Sequence, residues 1–280
     1  MSAPLLEFAE VGFAYQPGQP ILTGVNLRID PGQRLAVLGP NGGGKTTLFR
    51  LAAGARRPAA GRISVAGTRA RYTRAGLREL RQQVQLVVQD PDDQLFSANV
   101  RQDVSFGPVN LGLPAEQVRR RCEAALAALG VSGLADRPTH LLSYGQRKRV
   151  AIAGAVAMHP RLLILDEPTA GLDPAGVEAL LSTLHDLHTA GTTVVLSTHD
   201  VDLAFRWADA VAVVSGGRVR TVATADGLAD PALLAAAHLV PAWAPLVHQL
   251  LDQIPELAGA RPRAVTELAA LLHDAAPEDR

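Results

Sequence analysis

Apolar positions along the chain follow two rhythms, and the switch between them outlines the fold. Residues 6–11, 21–29 and 62–65 are short runs rich in Leu, Val, Ile and Phe, set apart by glycine and proline turns such as Gln16-Pro17-Gly18. They predict the strands of a small antiparallel sheet. Embedded among them, residues 34–38 form an apolar run that ends in glycines and leads into a helix-forming stretch over residues 45–53. That order predicts strand, glycine-rich loop and helix. Further on, Pro114 opens a segment with apolar residues at Val118, Cys122, Leu126 and Leu129 that closes at Gly130. It reads as an amphipathic helix with proline at its first position and glycine beyond its end. Residues 161–165, then a helical period through Val177, Leu180, Leu184 and Leu187, then residues 193–197 give the strand-helix-strand alternation of a parallel sheet. Residues 211–214 and 218–222 flank Ser215-Gly216-Gly217, which predicts a hairpin at the sheet's edge. Beyond Asp230 the chain turns Ala-, Leu- and Pro-rich and helical.

At 280 residues this pattern predicts one large α/β domain with a small C-terminal appendage, since single cores rarely outgrow about 250–300 residues. Acidic and basic residues balance at 27 each, so no net field draws the chain to nucleic acid. The single cysteine, Cys122, cannot form an internal disulfide and sits on the apolar side of its helix, a core position. Polar or helix-breaking residues interrupt each apolar run well short of the ~20 residues that span a bilayer. The start Met1-Ser2-Ala3-Pro4 lacks the basic and apolar segments of a secretory signal, so the expected location is the cytoplasm. Of the 27 Lys and Arg residues only Lys45 and Lys148 are lysine, which marks position 45 as one where the residue type matters.

Gly39-Pro40-Asn41-Gly42-Gly43-Gly44-Lys45-Thr46 comes directly after the predicted strand and opens the predicted helix. Glycines let main-chain N–H groups turn inward around phosphates, and the helix N-terminus adds its positive end. Lys45 supplies a point charge and Thr46 a hydroxyl for Mg2+. Residues 162–165 form a buried-strand pattern that ends in Asp166-Glu167, where ligands bind in open α/β sheets. Asp166 is expected to hold Mg2+ through water, and Glu167 to polarise the attacking water as general base. Leu142-Ser143-Tyr144-Gly145-Gln146 places a serine and a glycine at a second helix start, either a second anion-binding end or a simple N-cap. Two phosphate-binding ends in one chain fit a triphosphate gripped from opposite sides by two subunits.

In the order of these motifs, residues 1 to about 235 resemble the ATP-binding-cassette (ABC) family. The likeness runs through Walker A (Gly39 to Thr46), a Q-loop glutamine (Gln89), the signature (Leu142 to Gln146), Walker B (Asp166 and Glu167), a D-loop (Gly171-Leu172-Asp173) and a switch histidine (His199). It implies ATP and Mg2+ as ligands, with Thr47 beside the Walker A loop at the nucleotide and Gln89 joining Thr46 and Asp166 at the metal. It also implies that Tyr15 stacks on adenine and that His199 meets the γ-phosphate. Ser143, Tyr144, Gly145 and Gln146 would then act on the ATP of a second ABC subunit, identical or related. Read singly, Tyr15 could equally be a core aromatic, Gln89 a solvated polar residue and His199 a satisfied histidine. Most of the family carries glycine at the position of Tyr144.

Residues 89–96 and 103–108 resemble the ATPases of energy-coupling-factor (ECF) importers, above all the cobalt type. The resemblance implies a helical subdomain over about 90–158, with Asp92 and Asp93 as docking carboxylates for arginines of a membrane T component. It also implies a further substrate-binding membrane component, a place on the cytoplasmic face of the membrane, and a C-terminal extension, residues 236–280, that adds dimer contacts. His185 and His188 read as a solvated helix face rather than a metal site. Two other readings stay open: a soluble mechanical ABC ATPase, or the ATPase of another nutrient importer.

Overall fold

The structure, a computed structural model, describes residues 3–224, 228 and 230–274. The chain opens with β1 (Leu6–Gln16) and β2 (Gln19–Ile29), paired antiparallel around the turn at Pro17-Gly18. After β3 (Arg34–Leu38) and α1 (Lys45–Ala52) come β4 (Ala60–Val65) and the two-residue β5 (Thr68–Arg69). These complete a four-stranded antiparallel sheet in the order β2-β1-β4-β5. The middle of the chain runs through α2 (Arg74–Gln83), β6 (Val84–Val87), a 3-10 turn at Pro91–Asp93, α3 (Val100–Asn110), α4 (Ala115–Ala128) and α5 (Tyr144–Val156). It continues with β7 (Leu162–Leu165), α6 (Pro174–Thr189), β8 (Thr193–Ser197), α7 (Val201–Trp207) and the hairpin β9 (Ala210–Ser215) and β10 (Arg218–Ala223). Helices α8 (Pro231–Ala236), α9 (Trp243–Leu251) and α10 (Val265–Asp274) complete the order.

Six strands form the central sheet in the order β10-β9-β3-β8-β7-β6, parallel except for β10 at the edge. Its strands are apolar on both faces because both faces are covered. Successive side chains point to opposite sides, so Ala36, Leu38, Leu163, Leu165, Val194 and Leu196 join the core shared with α3 to α7. Leu35, Val37, Leu162, Ile164 and Val195 join a second core against α1, α2 and the antiparallel sheet. The sequence expectations for β3, β7, β8, β9 and β10 hold to within one residue, whereas the sequence reading has no strand at β6; in α4, Pro114 is the residue before the first turn, not within it. Gly130 closes that helix with φ +62°, and Cys122 is buried in the core as expected. Among the described residues no helix is long and apolar enough to cross a membrane. Met1, Ser2 and residues 275–280 of the expected extension lie outside the described residues.

The strand order sets the site. β3, β8 and β7 are adjacent and parallel, so the segments beyond their carboxyl ends, residues 39–46, 198–199 and 166–167, are brought together. These segments are far apart in the chain.

Candidate functional site

The loop after β3 is shaped by its first glycine. Gly39 has φ +147°, and a Cβ there would stand 2.4 Å from the Val214 carbonyl oxygen, so a side chain would push the loop off the sheet. Gly44, with φ +107°, is the residue before α1. The Lys45 side chain folds back into the loop, its Nζ donating to the carbonyls of Gly39 (2.8 Å) and Pro40 (3.3 Å). Its ammonium is thereby held at the helix N-terminus, where main-chain N–H groups already favour phosphate.

The carboxylates at the end of β7 are buried, Asp166 at 3 % and Glu167 at 6 % exposure. Asp166 is held from both sides: Ser197 Oγ donates to its Oδ1 at 2.6 Å and Thr46 Oγ1 to its Oδ2 at 2.5 Å. Glu167 has φ +47°, a conformation that costs a residue with a Cβ about 1–2 kcal/mol. Its N–H donates to Ser197 Oγ (2.8 Å), and its carbonyl accepts from Lys148 Nζ (2.9 Å). The carboxylate of Glu167 stands between Lys45 Nζ, 3.7 Å from Oε1, and His199 Nδ1, 3.1 Å from Oε2. At that distance Lys45 makes an ion pair and no hydrogen bond, so Oε1 is a buried acceptor without a hydrogen-bond partner. Buried acceptors are normally satisfied, and a water on this oxygen fits the base role expected of it.

Tyr15, Asn41, Gly42, Gly44, Lys45, Thr46, Thr47, Gln89, Asp166 and Glu167 line one cleft of about 450 Å3. Gly43 turns the loop beneath it, its N–H donating to the Pro40 carbonyl. Tyr15 is half exposed, stacks edge-on against Phe13 and places its hydroxyl 3.3 Å from Thr47 Oγ1. Burial alone would raise its pKa, but the Thr47 bond and the nearby Arg50 and Arg56 outweigh this and lower it. Thr46 and Asp166 present paired hard oxygens, the donor type Mg2+ takes, with Gln89 on the same cleft wall. The residues present therefore fit a bound Mg2+.

Residues 143–146 do not line this cleft. They start α5, where Ser143 Oγ accepts from Gln146 N (3.3 Å) and Gln146 Oε1 accepts from Ser143 N (2.9 Å), a capping box. Asp173 is a single-bond N-cap of α6, accepting from Gly176 N at 2.7 Å. Tyr144 is tucked against the turn before α6: a Cβ on Gly171 would lie 2.7 Å from its ring. Asp92 and Asp93 form the expected short turn, but Asp92 Oδ1 already stands 2.7 Å from Arg147 Nε, an ion pair outside hydrogen-bond angles. Asp93 is exposed. Beside this turn, α2, α3 and α5 enclose a groove of about 790 Å3 floored by Ala151, Gly154 and Met158. Phe96 and Phe106 stand at it edge-to-face, 4.7 Å apart and 65 % and 50 % exposed. His188 Nδ1 is buried without a partner, and among the described residues no cluster of three metal-ligating side chains occurs.

Sequence reasoning missed Ser197, which ties Asp166 to Glu167, and Lys148, which holds the Glu167 carbonyl. Ser197 was legible only as a polar residue closing an apolar strand. Lys148 was visible as the chain's second lysine, but nothing in the sequence connected it to Glu167.

A phosphate-binding loop at the end of one parallel strand, facing a buried carboxylate pair at the end of another, defines a P-loop nucleoside triphosphatase. The ABC transporter family model matches residues 22–170. The chain is 56 % identical over 269 residues to a provisionally named ABC transporter ATP-binding protein of Streptomyces coelicolor, covering 95 % of each. It is 52 % identical over 248 residues to the cobalt import ATP-binding protein CbiO of Rhodobacter capsulatus, covering 88 % of each. It is 46 % identical over 215 residues to the energy-coupling factor transporter ATP-binding protein EcfA of Methanocaldococcus jannaschii, covering 77 % of each. Among solved structures, cbiO1 from Clostridium perfringens, part of the ABC transporter complex cbiONQ, aligns with TM-score 0.76 at 38 % identity, over 96 % of this chain and 99 % of that one. A dimeric ATP-binding cassette in a post-hydrolysis state with ADP and Pi aligns with TM-score 0.72 at 26 % identity, over 78 % and 98 %. The chain belongs to the ABC transporter family, as an ATP-binding subunit of the ECF-type importer branch. It is an ATP-hydrolysing enzyme that uses ATP and Mg2+.

Proposed function

We propose that this subunit powers a cobalt importer from the cytoplasmic face of the membrane by closing on ATP with a second cassette. The observation that carries the two-cassette part of this reading is the buried Glu167 Oε1, paired with Lys45 but without a hydrogen-bond partner, beside His199 and in a cleft that residues 143–146 do not reach. Half of the phosphate grip is thus left for another subunit's α5, with Ser143 and Gly145 at its start and Tyr144 and Gln146 supporting them. Tyr15 stacks on the adenine and the main chain of residues 39–46 wraps the phosphates, with Thr47 beside them. Thr46, Asp166 and Gln89 hold Mg2+, which when bound neutralises charge on the phosphate oxygens. Glu167 takes the proton of the attacking water. His199, hydrogen-bonded to that carboxylate, orients the γ-phosphate, and Asp173 at the start of α6 meets the second subunit.

Residues 1–235 form the ATPase domain in this reading, with a helical subdomain over about 90–158 and an extension, 236–280, that adds dimer contacts. The groove beside Phe96 and Phe106 receives a helix of the membrane T component, with Asp92 and Asp93 on the turn just before Gln94 in its lining. Because Asp92 is already paired with Arg147, an incoming arginine exchanges for an internal one, and Asp93 is the readier carboxylate. Similarity to the cobalt import protein supports cobalt as cargo, selected by a substrate-binding membrane component. In a soluble mechanical ATPase the exposed Phe96 and Phe106 have no membrane helix to meet. In vesicles holding the membrane components and this subunit, ATP-driven Co2+ uptake is expected. Glu167→Gln should abolish uptake and slow hydrolysis by about 100-fold or more while ATP still binds and closed dimers accumulate. Full hydrolysis by that variant would remove Glu167 from its role, and ATP-independent uptake would remove the subunit from this one.

A further inference from the structure

Lys148 is a buried charge with no part so far in ATP hydrolysis. It lies on the second turn of α5 at 1 % exposure, and its ammonium donates to two main-chain carbonyls, Glu167 (2.9 Å) and Ala170 (2.8 Å). The Tyr144 ring covers it at 5.4 Å. Burial pushes its pKa down to about 8, against the pull of the Glu167, Asp90 and Asp166 carboxylates. A desolvated ammonium is costly unless its protons are met, and here it spans both ends of the turn that leaves β7.

That turn carries Glu167 in a strained conformation, φ +47°. Three contacts fix its backbone: Ser197 Oγ on its N–H, Lys148 Nζ on its carbonyl, and the Ala170 N–H of the same turn, which also donates to that carbonyl (3.2 Å). The first comes from the neighbouring strand. The second comes from α5, whose opening residues are Ser143 to Gln146. Apart from Lys45, the chain otherwise meets its need for positive charge with arginine, but a planar guanidinium is poorly suited to this slot for a compact, rotatable donor group. Tyr144 completes the contact: a Cβ on Gly171, in the same turn, would lie 2.7 Å from its ring.

We propose that Lys148 is a positioning residue for hydrolysis, holding the Glu167 backbone to α5 so that seating of this helix on a second subunit's ATP is transmitted to the chain's own carboxylate. The proposal rests on the two-cassette reading of the site. It makes each Glu167 responsive to whether its own helix α5 is engaged, and so makes hydrolysis cooperative in ATP.

The test compares Lys148→Met, Glu167→Gln and wild type as full-length chains, measuring ATP affinity, KM, kcat and the Hill coefficient. For Lys148→Met, ATP affinity and KM within about threefold of wild type are expected. Its kcat should fall by about 10–100-fold, the effect of misplacing a reacting group by about 1 Å, and its Hill coefficient should approach 1. Wild-type kcat in Lys148→Met overturns the proposal, as does a parallel loss of ATP affinity and kcat, which marks a merely structural residue. If Glu167→Gln hydrolyses normally, the base assignment itself fails; if it stops while Lys148→Met does not, only the role of Lys148 fails. Should Lys148→Met not fold, Lys148→Arg carries the test: lowered kcat with normal ATP affinity upholds the proposal, and wild-type kcat refutes it.

Discussion

At the scale of the residue, the site is made by polar groups that the fold forces into apolar surroundings. Asp166, Glu167, Lys45 and Lys148 are each no more than 6 % exposed, and each is held by hydrogen bonds or ion pairs to the others' loops. Lys148 gives this arrangement a measurable signature. Its pKa is about 8 in the folded chain against 10.5 for a free lysine. Between those values the unfolded chain keeps a proton that the folded chain has lost, so stability rises with pH. Below about pH 8 both states are protonated and the contribution is flat. The stability of wild type relative to Lys148→Met should therefore climb between pH 8 and 10.5, by up to about 3 kcal/mol. Denaturant unfolding of both proteins at pH 7, 9 and 10.5 tests this, and a difference that does not change with pH would show that the lysine titrates as if exposed.

At the scale of the element, the proposed function rests on helix ends. The N-terminus of α1 is shaped by glycines and left open for phosphate, whereas that of α5 is closed by its own capping box. A capped end is stabler by about 1 kcal/mol and still presents main-chain N–H groups to an anion. The short turn at Pro91–Asp93 is joined to α5 by the Asp92 and Arg147 pair. Asp92→Arg with Asp93→Arg should weaken assembly with the membrane T component by about tenfold or more, as expected for the loss of a charge-assisted pair, while ATP affinity stays normal. Co-purification and nucleotide titration would check it; loss of both properties together would indicate misfolding instead.

At the scale of the whole molecule, the α7 helix just beyond His199 is gripped by the C-terminal segment. Arg263 donates to the Phe205 and Ala208 carbonyls, and Trp243 N–H donates to Asp202 Oδ1. On the outer side of this segment Leu246 and Leu250, four apart on α9, are 55 % and 61 % exposed, and Val265 on α10 is 65 % exposed. An apolar stripe of this kind suits contact with a second cassette. Leu246→Asp with Leu250→Asp should weaken nucleotide-free dimers without altering ATP affinity. Light scattering with and without ATP would check it, and an unchanged dimer would relocate the contact.

Strand, loop and helix periods made most of this architecture legible in advance: β3 and β8 match their expected bounds, and α1 ends one residue before its expected limit. So did the residue types of the phosphate loop and of Asp166-Glu167, because phosphate binding and base catalysis each tolerate few side chains. Local pattern could not reveal which distant residues would meet. Ser197 reaches Asp166 and Glu167 because β8 lies beside β7, and Lys148 reaches the Glu167 carbonyl because α5 packs across the end of that strand. A sequence records what each residue can do within its own turn of chain. Burial, strain at Glu167 and the partners of a desolvated charge arise from contacts tens of residues apart, and these exist only once the sheet has closed.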